Sequence, residues 1–271
     1  MLRQRVITAA VLLFGAISFL FLVPQWAWAL VTGGVMLIGA AEWGRLAGWR
    51  ASGVIVFGAV VAVSGALLGW SALQHPLGNR LVMIVCSGAL AFWLLAALPW
   101  LLLRASVRGA ARMALTGWWV LVPAWLALVW LQGRPWLLLS LLAVVWVSDS
   151  AAYLVGRSFG RHKLAPAISP GKTWEGVGAA VVAVLAYLSV LGLVSQPAWP
   201  AFLTLEAAGA FLGLTALGII GDLFESWVKR GAGVKDSGKL LPGHGGVLDR
   251  IDALTASLPL AALAAVTVFV G

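Results

Sequence analysis

The sequence predicts an all-α, polytopic integral membrane protein, and three observations carry that prediction. Hydrophobic residues make up 62% of the 271 and charged residues 10%, against about 45–50% apolar and about 25% charged in soluble domains. The apolar residues fall in continuous runs close to the roughly 20 residues that a helix needs to cross a bilayer. Those runs do not alternate apolar with polar, as the strands of a membrane barrel would.

The first run, Val6 to Val23, follows the basic start MLRQR, as the core of a signal peptide would. Ala27 and Ala29 supply a small-x-small step, but tryptophans surround it and a second apolar run is already under way. An uncleaved first span is therefore expected. The second run, Trp26 to Ala41, is short and is followed at once by Glu42. Pro24–Gln25 before it marks a tight helical hairpin. Further spans are expected from Gly53 to Trp70, Leu81 to Leu103, Leu115 to Leu131, Trp136 to Val155, Trp174 to Val194, Ala201 to Gly221 and Ile251 to Val270, making nine.

Charge placement tests that count. With the N-terminus cytoplasmic, the inner side receives Arg3, Arg5, Arg45, Arg50, Arg104, Arg108, Arg112, Arg157, Arg161, Lys163, Lys172, Lys229, Arg230, Lys235, Lys239 and Arg250. Only Arg80 and Arg134 fall outside. This bias supports nine spans with the C-terminus outside. The net charge of +9 then reflects cationic loops beside anionic lipid, and no nucleic-acid partner is expected. The single cysteine, Cys86, lies in an apolar run; it permits no intrachain disulfide and reads as a small packing residue.

Function concentrates late in the chain. Residues 1–131 read as a transmembrane scaffold with a lipid-facing or dimer surface, and 132–271 as a catalytic region with inner loops 156–173 and 222–250. All five lysines lie in those loops, and eight of the nine acidic residues fall between Asp149 and Asp252. Trp118, Trp119, Trp125, Trp130 and Trp136 lie along or beside the fifth span, those near its ends suiting membrane-interface anchoring.

Asp149, late in the sixth span, must face a polar cavity, a counter-charge or a cation. Tyr153 stands on the same helix face, four residues on. The following loop brings Arg157, Arg161, His162 and Lys163, then SPGKTWEG from Ser169. Lys172 and Thr173 stand where the next helix starts, with free backbone N–H groups for phosphate oxygens. A phosphate-loop ATPase fits poorly, since Pro166 occupies the first glycine position and no strand is expected before the motif.

Asp222, Glu225 and Ser226 share one face at the end of the eighth span, and Asp249 and Asp252 repeat the three-residue spacing where the ninth begins. Carboxylates converging at a membrane edge have two uses. They hold Mg²⁺, which prefers oxygen ligands and phosphate-bearing partners, or they pair with Lys229, Arg230, Lys235 and Lys239. Pro242 and the His244–Gly245–Gly246 step suggest a shaped turn, with Gly245 and Gly246 able to bring backbone N–H donors close to a ligand.

These segments resemble the bacterial phosphatidate cytidylyltransferases, or CDP-diacylglycerol synthases. The closing pattern S-x-x-K-R-x-x-x-x-K-D-x-G-x-x-x-P-G-H-G-G-x-x-D-R-x-D is matched from Ser226 through Lys229, Arg230, Lys235, Asp236, Gly238, Pro242, Gly243, His244, Gly245, Gly246, Asp249 and Arg250 to Asp252. The block from Asp149 to Gly176, with AYLVGRSFG and ISPGKTWEG, is similar too. The resemblance implies that CTP and phosphatidic acid give CDP-diacylglycerol and pyrophosphate at the cytoplasmic face of a bacterial inner membrane. It implies a carboxylate-held Mg²⁺ and admits K⁺ beside it. Ligation carries over chiefly to Asp222 and Asp249, with Asp149, Asp236 and Asp252 in support. Lys229, Arg230, Lys235 and Lys239 become candidates for the triphosphate or departing pyrophosphate, and Arg157, Lys163 and Lys172 for the lipid phosphate. His244 and Arg250 join the catalytic candidates, and Tyr153, Ser169, Thr173, Ser226, Gly245 and Gly246 the substrate contacts. No cytidine-recognition motif is visible.

Three rivals fit less well. A CDP-alcohol phosphotransferase should show D-G-x-x-A-R followed by G-x-x-x-D-x-x-x-D, and this chain has D-R-x-D without that frame. An ion-coupled transporter predicts polar residues deep within several spans and an internal repeat. A non-catalytic scaffold leaves the dense late pattern without a purpose.

Overall fold

A computed structural model describes residues 15–74, 80–105, 109–195, 200–240 and 245–269. Helix α1 is seen over residues 15–22. Then follow α2 (Gln25–Leu46), α3 (Ala51–Gln74), α4 (Arg80–Phe92), a π-helical turn (Trp93–Ala97) leading into α5 (Leu98–Leu102), and α6 (Ala110–Leu131). The later elements are α7 (Pro135–Phe159), β1 (Lys163–Ala165), β2 (Ser169–Thr173), α8 (Trp174–Val194), α9 (Leu205–Gly231) and α10 (Leu248–Ala264), which ends in a π-helical turn (Ala265–Phe269). Among the described residues eight helical segments are long and apolar enough to span a membrane. They correspond to the second to ninth expected spans; the first half of the first, Val6 to Val23, lies outside the described residues.

Several helices outrun their expected ends. The second span continues through Glu42 to Leu46, because the Glu42 carboxylate is hydrogen-bonded inside the protein and does not meet lipid. Likewise α7 runs to Phe159 and α9 to Gly231. The first ten residues of the expected 222–250 loop are therefore helical, and those of 163–173 make a small antiparallel hairpin. Two N-caps fix helix starts: Thr173 Oγ1 accepts the Gly176 N–H at 3.2 Å and Thr204 Oγ1 the Ala207 N–H at 3.2 Å, satisfying amides the helix leaves free.

Helix α10 is the hub, packing on α9, α6, α4, α7 and α2. Its contact with α9 is close because Gly221 has no side chain: a methyl there would meet the Asp252 carbonyl oxygen at 2.5 Å. That approach sets Asp222 beside Asp252. The core near the charged ends of these helices holds Trp43, Phe57, Trp93, Phe224 and Leu248. A larger apolar cluster, with Leu126, Leu138, Phe211 and Leu258, fills the rest of the bundle.

The tryptophans depart from the anchoring expectation. Trp130 is buried, Trp119 stacks on Phe92, and the Trp118 and Trp125 indoles donate to Ser64 Oγ and Thr32 Oγ1 on neighbouring helices. Trp136 alone of the five is largely exposed. Indoles supply wide packing surfaces and satisfy their N–H across helix contacts, and Trp125 fills the space over Gly65 and Gly69. Cys86 is a buried packing residue, as expected.

Candidate active site

Helical periodicity assembles the site. Asp222, Glu225, Ser226 and Lys229 fall three, four and seven residues apart on α9, so they share one face. Asp249 and Asp252 do the same in the first turns of α10. Asp149, Tyr153 and Gly156 line the matching face of α7. These faces, with the β-hairpin and the start of α8, enclose a cavity of about 650 Å³ lined by Asp149, Tyr153, Arg157, Lys163, Ser169, Lys172, Thr173, Asp222, Asp249 and Asp252, among others.

Two ion pairs organise its charge. Lys172 Nζ lies 2.7 Å from Asp222 Oδ2, and Ser226 Oγ donates to Asp222 Oδ1 at 3.3 Å. Lys229, which is nearly buried, lies 2.5 Å from Asp249 Oδ1 and 3.3 Å from Glu225 Oε1. The other oxygen of Asp249 accepts from the Gly246 N–H at 2.8 Å and the Ser237 N–H at 2.9 Å, with the Ser237 hydroxyl at 3.0 Å. Asp249 is thus held at both oxygens. Asp252 Oδ1 accepts the Ala253 N–H at 2.8 Å.

The chain matches the cytidylyltransferase family model over residues 3–268. It belongs to that family. It is 42% identical to a phosphatidate cytidylyltransferase of Pseudomonas aeruginosa, over 96% of this chain and 95% of that protein. A phosphatidate cytidylyltransferase of Haemophilus influenzae is 35% identical, with 96% of each chain covered. One of Bacillus subtilis is 46% identical over 43% of this chain and 42% of its own.

In this cytidylyltransferase the sequence candidates divide into groups. Asp149, Tyr153, Arg157, Lys163, Ser169, Lys172, Thr173, Asp222, Asp249 and Asp252 share the cavity, with Ser226 and Lys229 bonded to its carboxylates. Asp236 instead lines a separate cavity of about 600 Å³ with Arg45, Arg104 and Trp227. Lys235 and Lys239 line a third, of about 920 Å³, together with Asp236, Glu42 and Arg45. Sequence spacing grouped these loop residues with Asp222 and Asp249; the 232–240 segment instead faces the other two cavities. Arg230 is exposed and donates to the Val234 carbonyl at 3.3 Å. Gly245 has φ +84°, the left-handed backbone a shaped glycine turn needs. His244 lies outside the described residues, and Arg250 is exposed on α10. His162 Nδ1 is 2.7 Å from Glu175 Oε1, a loop-to-helix tie.

The donor chemistry suits a hard divalent cation, since four carboxylates line the cavity. Among the described residues no three His, Cys, Asp or Glu side chains already form a metal cluster, and lysines hold Asp222 and Asp249. Carboxylate type and location fit Mg²⁺; convergence on one point is not preformed.

One residue escaped the sequence reasoning. Glu42, on α2, is 0% exposed and its oxygens meet Ser237, Val247 and Leu248. The signal was present: it is the lone acidic residue in the first 148, at the end of an apolar run, where a carboxylate requires partners.

Proposed function

We propose that the chain transfers the cytidylyl group of CTP to phosphatidic acid, forming CDP-diacylglycerol and releasing pyrophosphate. The observation that carries this reading is one cavity combining carboxylates of α7, α9 and α10 with Arg157, Lys163 and Lys172, in a chain similar to phosphatidate cytidylyltransferases over 96% of its length. A phosphate oxygen of phosphatidic acid attacks the α-phosphorus of CTP; the bond from that phosphorus to the β-phosphate oxygen breaks. The attacking oxygen is already ionised near neutral pH, so no general base is needed. The work is alignment and charge neutralisation.

Lys172 lines the cavity where it can meet phosphate oxygens, with Asp222 orienting it, while Lys229, buried between Glu225 and Asp249, orients Asp249. Arg157, whose Nη1 donates to Tyr153 Oη at 2.7 Å, and Lys163 are assigned to the lipid phosphate. The exposed Tyr153, Phe159 and Trp174 beside that side of the cavity suit an approach from the bilayer interface. Asp222 and Asp249 would hold Mg²⁺, with Asp149 and Asp252 in support. Bound there, Mg²⁺ supplies neutralisation of the α-phosphate charge. The site faces the cytoplasm of a bacterial inner membrane, where CTP is supplied.

The test is direct. The protein, purified in detergent or returned to vesicles, is given CTP, phosphatidic acid and Mg²⁺, and lipid product and pyrophosphate are measured. Stoichiometric appearance of both supports the reading; no CDP-diacylglycerol from folded protein refutes it.

A further inference from the structure

Glu42 is the most fully buried carboxylate in the bundle, and its partners belong to the late loop and helix. Oε1 accepts from the Val247 N–H at 3.0 Å, and Oε2 from the Leu248 N–H at 2.9 Å. These amides stand at the start of α10, where unsatisfied N–H groups and the helix dipole favour an anion. The space is shaped for it: a methyl on Gly246 would come within 2.5 and 2.6 Å of the two Glu42 oxygens. The Ser237 hydroxyl lies between two carboxylates, 2.9 Å from Glu42 Oε2 and 3.0 Å from Asp249 Oδ2. It has one proton for both.

We propose that Glu42 is a positioning residue for cytidylyl transfer. It touches no substrate; it fixes the Ser237 hydroxyl and the first amides of α10, and through them the direction in which Asp249 faces Lys229 and the cavity. The inference rests on the reaction proposed above. A carboxylate displaced by about 1 Å costs on the order of 100-fold in an aligned phosphoryl transfer, so an anchor on a separate helix has catalytic value. If Glu42 only capped α10, its removal would lower stability and leave kcat per folded molecule unchanged.

Glu42→Gln, Ser237→Ala and the double variant separate these. Wild type is assayed first, since an inactive folded wild type overturns the parent reading and not this coupling. Each single variant is expected to lose about tenfold or more in kcat, with KM for CTP and phosphatidic acid within about twofold. The double is expected to lose little more than the worse single, because both act on one carboxylate. Thermal unfolding and gel filtration fix the folded fraction used to compute kcat. Wild-type kcat in Glu42→Gln, or losses that multiply in the double, would overturn the proposal. Should Glu42→Gln not fold, Glu42→Asp takes its place: it keeps the charge and withdraws the oxygens, and wild-type kcat there overturns the proposal equally.

Discussion

Lys229 and Asp249 meet across the α9–α10 contact at 2.5 Å, with side chains only 9% and 6% exposed. The lysine also serves Glu225, whose carboxylate oxygens have no hydrogen-bond partner. One ammonium group therefore compensates two nearly buried carboxylates.

Removing that ammonium should destabilise the bundle. Lys229→Met is expected to lose about 3–5 kcal/mol of stability, the usual result of leaving a buried charge without its partner. Thermal or denaturant unfolding in detergent reads it. Wild-type stability would mean that the pair contributes little to the fold.

Asp249→Asn keeps the shape of the side chain and removes its charge. Turnover should fall at least about 100-fold, the scale of losing one stabilising group in a polar reaction centre, while the protein still inserts in the membrane. Full activity would remove Asp249 from the reaction.

The Lys172–Asp222 pair is more accessible, at 23% and 33% side-chain exposure. Lys172→Ala should therefore change stability by less than about 1 kcal/mol yet lower kcat/KM at least about tenfold, since phosphate contact carries more than an exposed ion pair. A large drop in melting temperature with unchanged kcat/KM would reverse that assignment.

Gly221→Val tests the close helix contact. The added carbons would press on the Asp252 backbone and Ala256, and overpacking of this kind costs about 1–3 kcal/mol. Activity should fall as well, because Asp222 and Asp252 sit on either side of the contact. A variant with wild-type stability and turnover would show that the α9–α10 spacing is loose.

Membrane orientation can be measured with single cysteines in a Cys86→Ala background. A cell-impermeant maleimide should label Gly133→Cys in intact cells, and Arg161→Cys only after the membrane is opened. The opposite pattern would invert the proposed topology.

Most of the fold was legible because apolar run length sets helix spans and because a carboxylate in lipid is costly. The expected ends of α2, α7 and α9 stopped short of Glu42, Arg157 and Asp222, since hydropathy cannot tell a charge leaving the membrane from one entering a protein cavity. Spacing alone placed Asp222 with Ser226 and Asp249 with Asp252, as the helices do. It could not separate Asp236, Lys235 and Lys239 from them, because the turns of an irregular segment follow no fixed period.

By itself the sequence determined a helical membrane protein, the late concentration of its charges and the family pattern between Ser226 and Asp252. Those are properties of composition and local periodicity. Only tertiary structure decided that Lys172 pairs with Asp222, that Lys229 divides its charge between Glu225 and Asp249, and that Glu42 reaches Ser237 from 195 residues away. Such contacts depend on how closely helices approach, and Gly221 and Gly246 set that distance through atoms they lack.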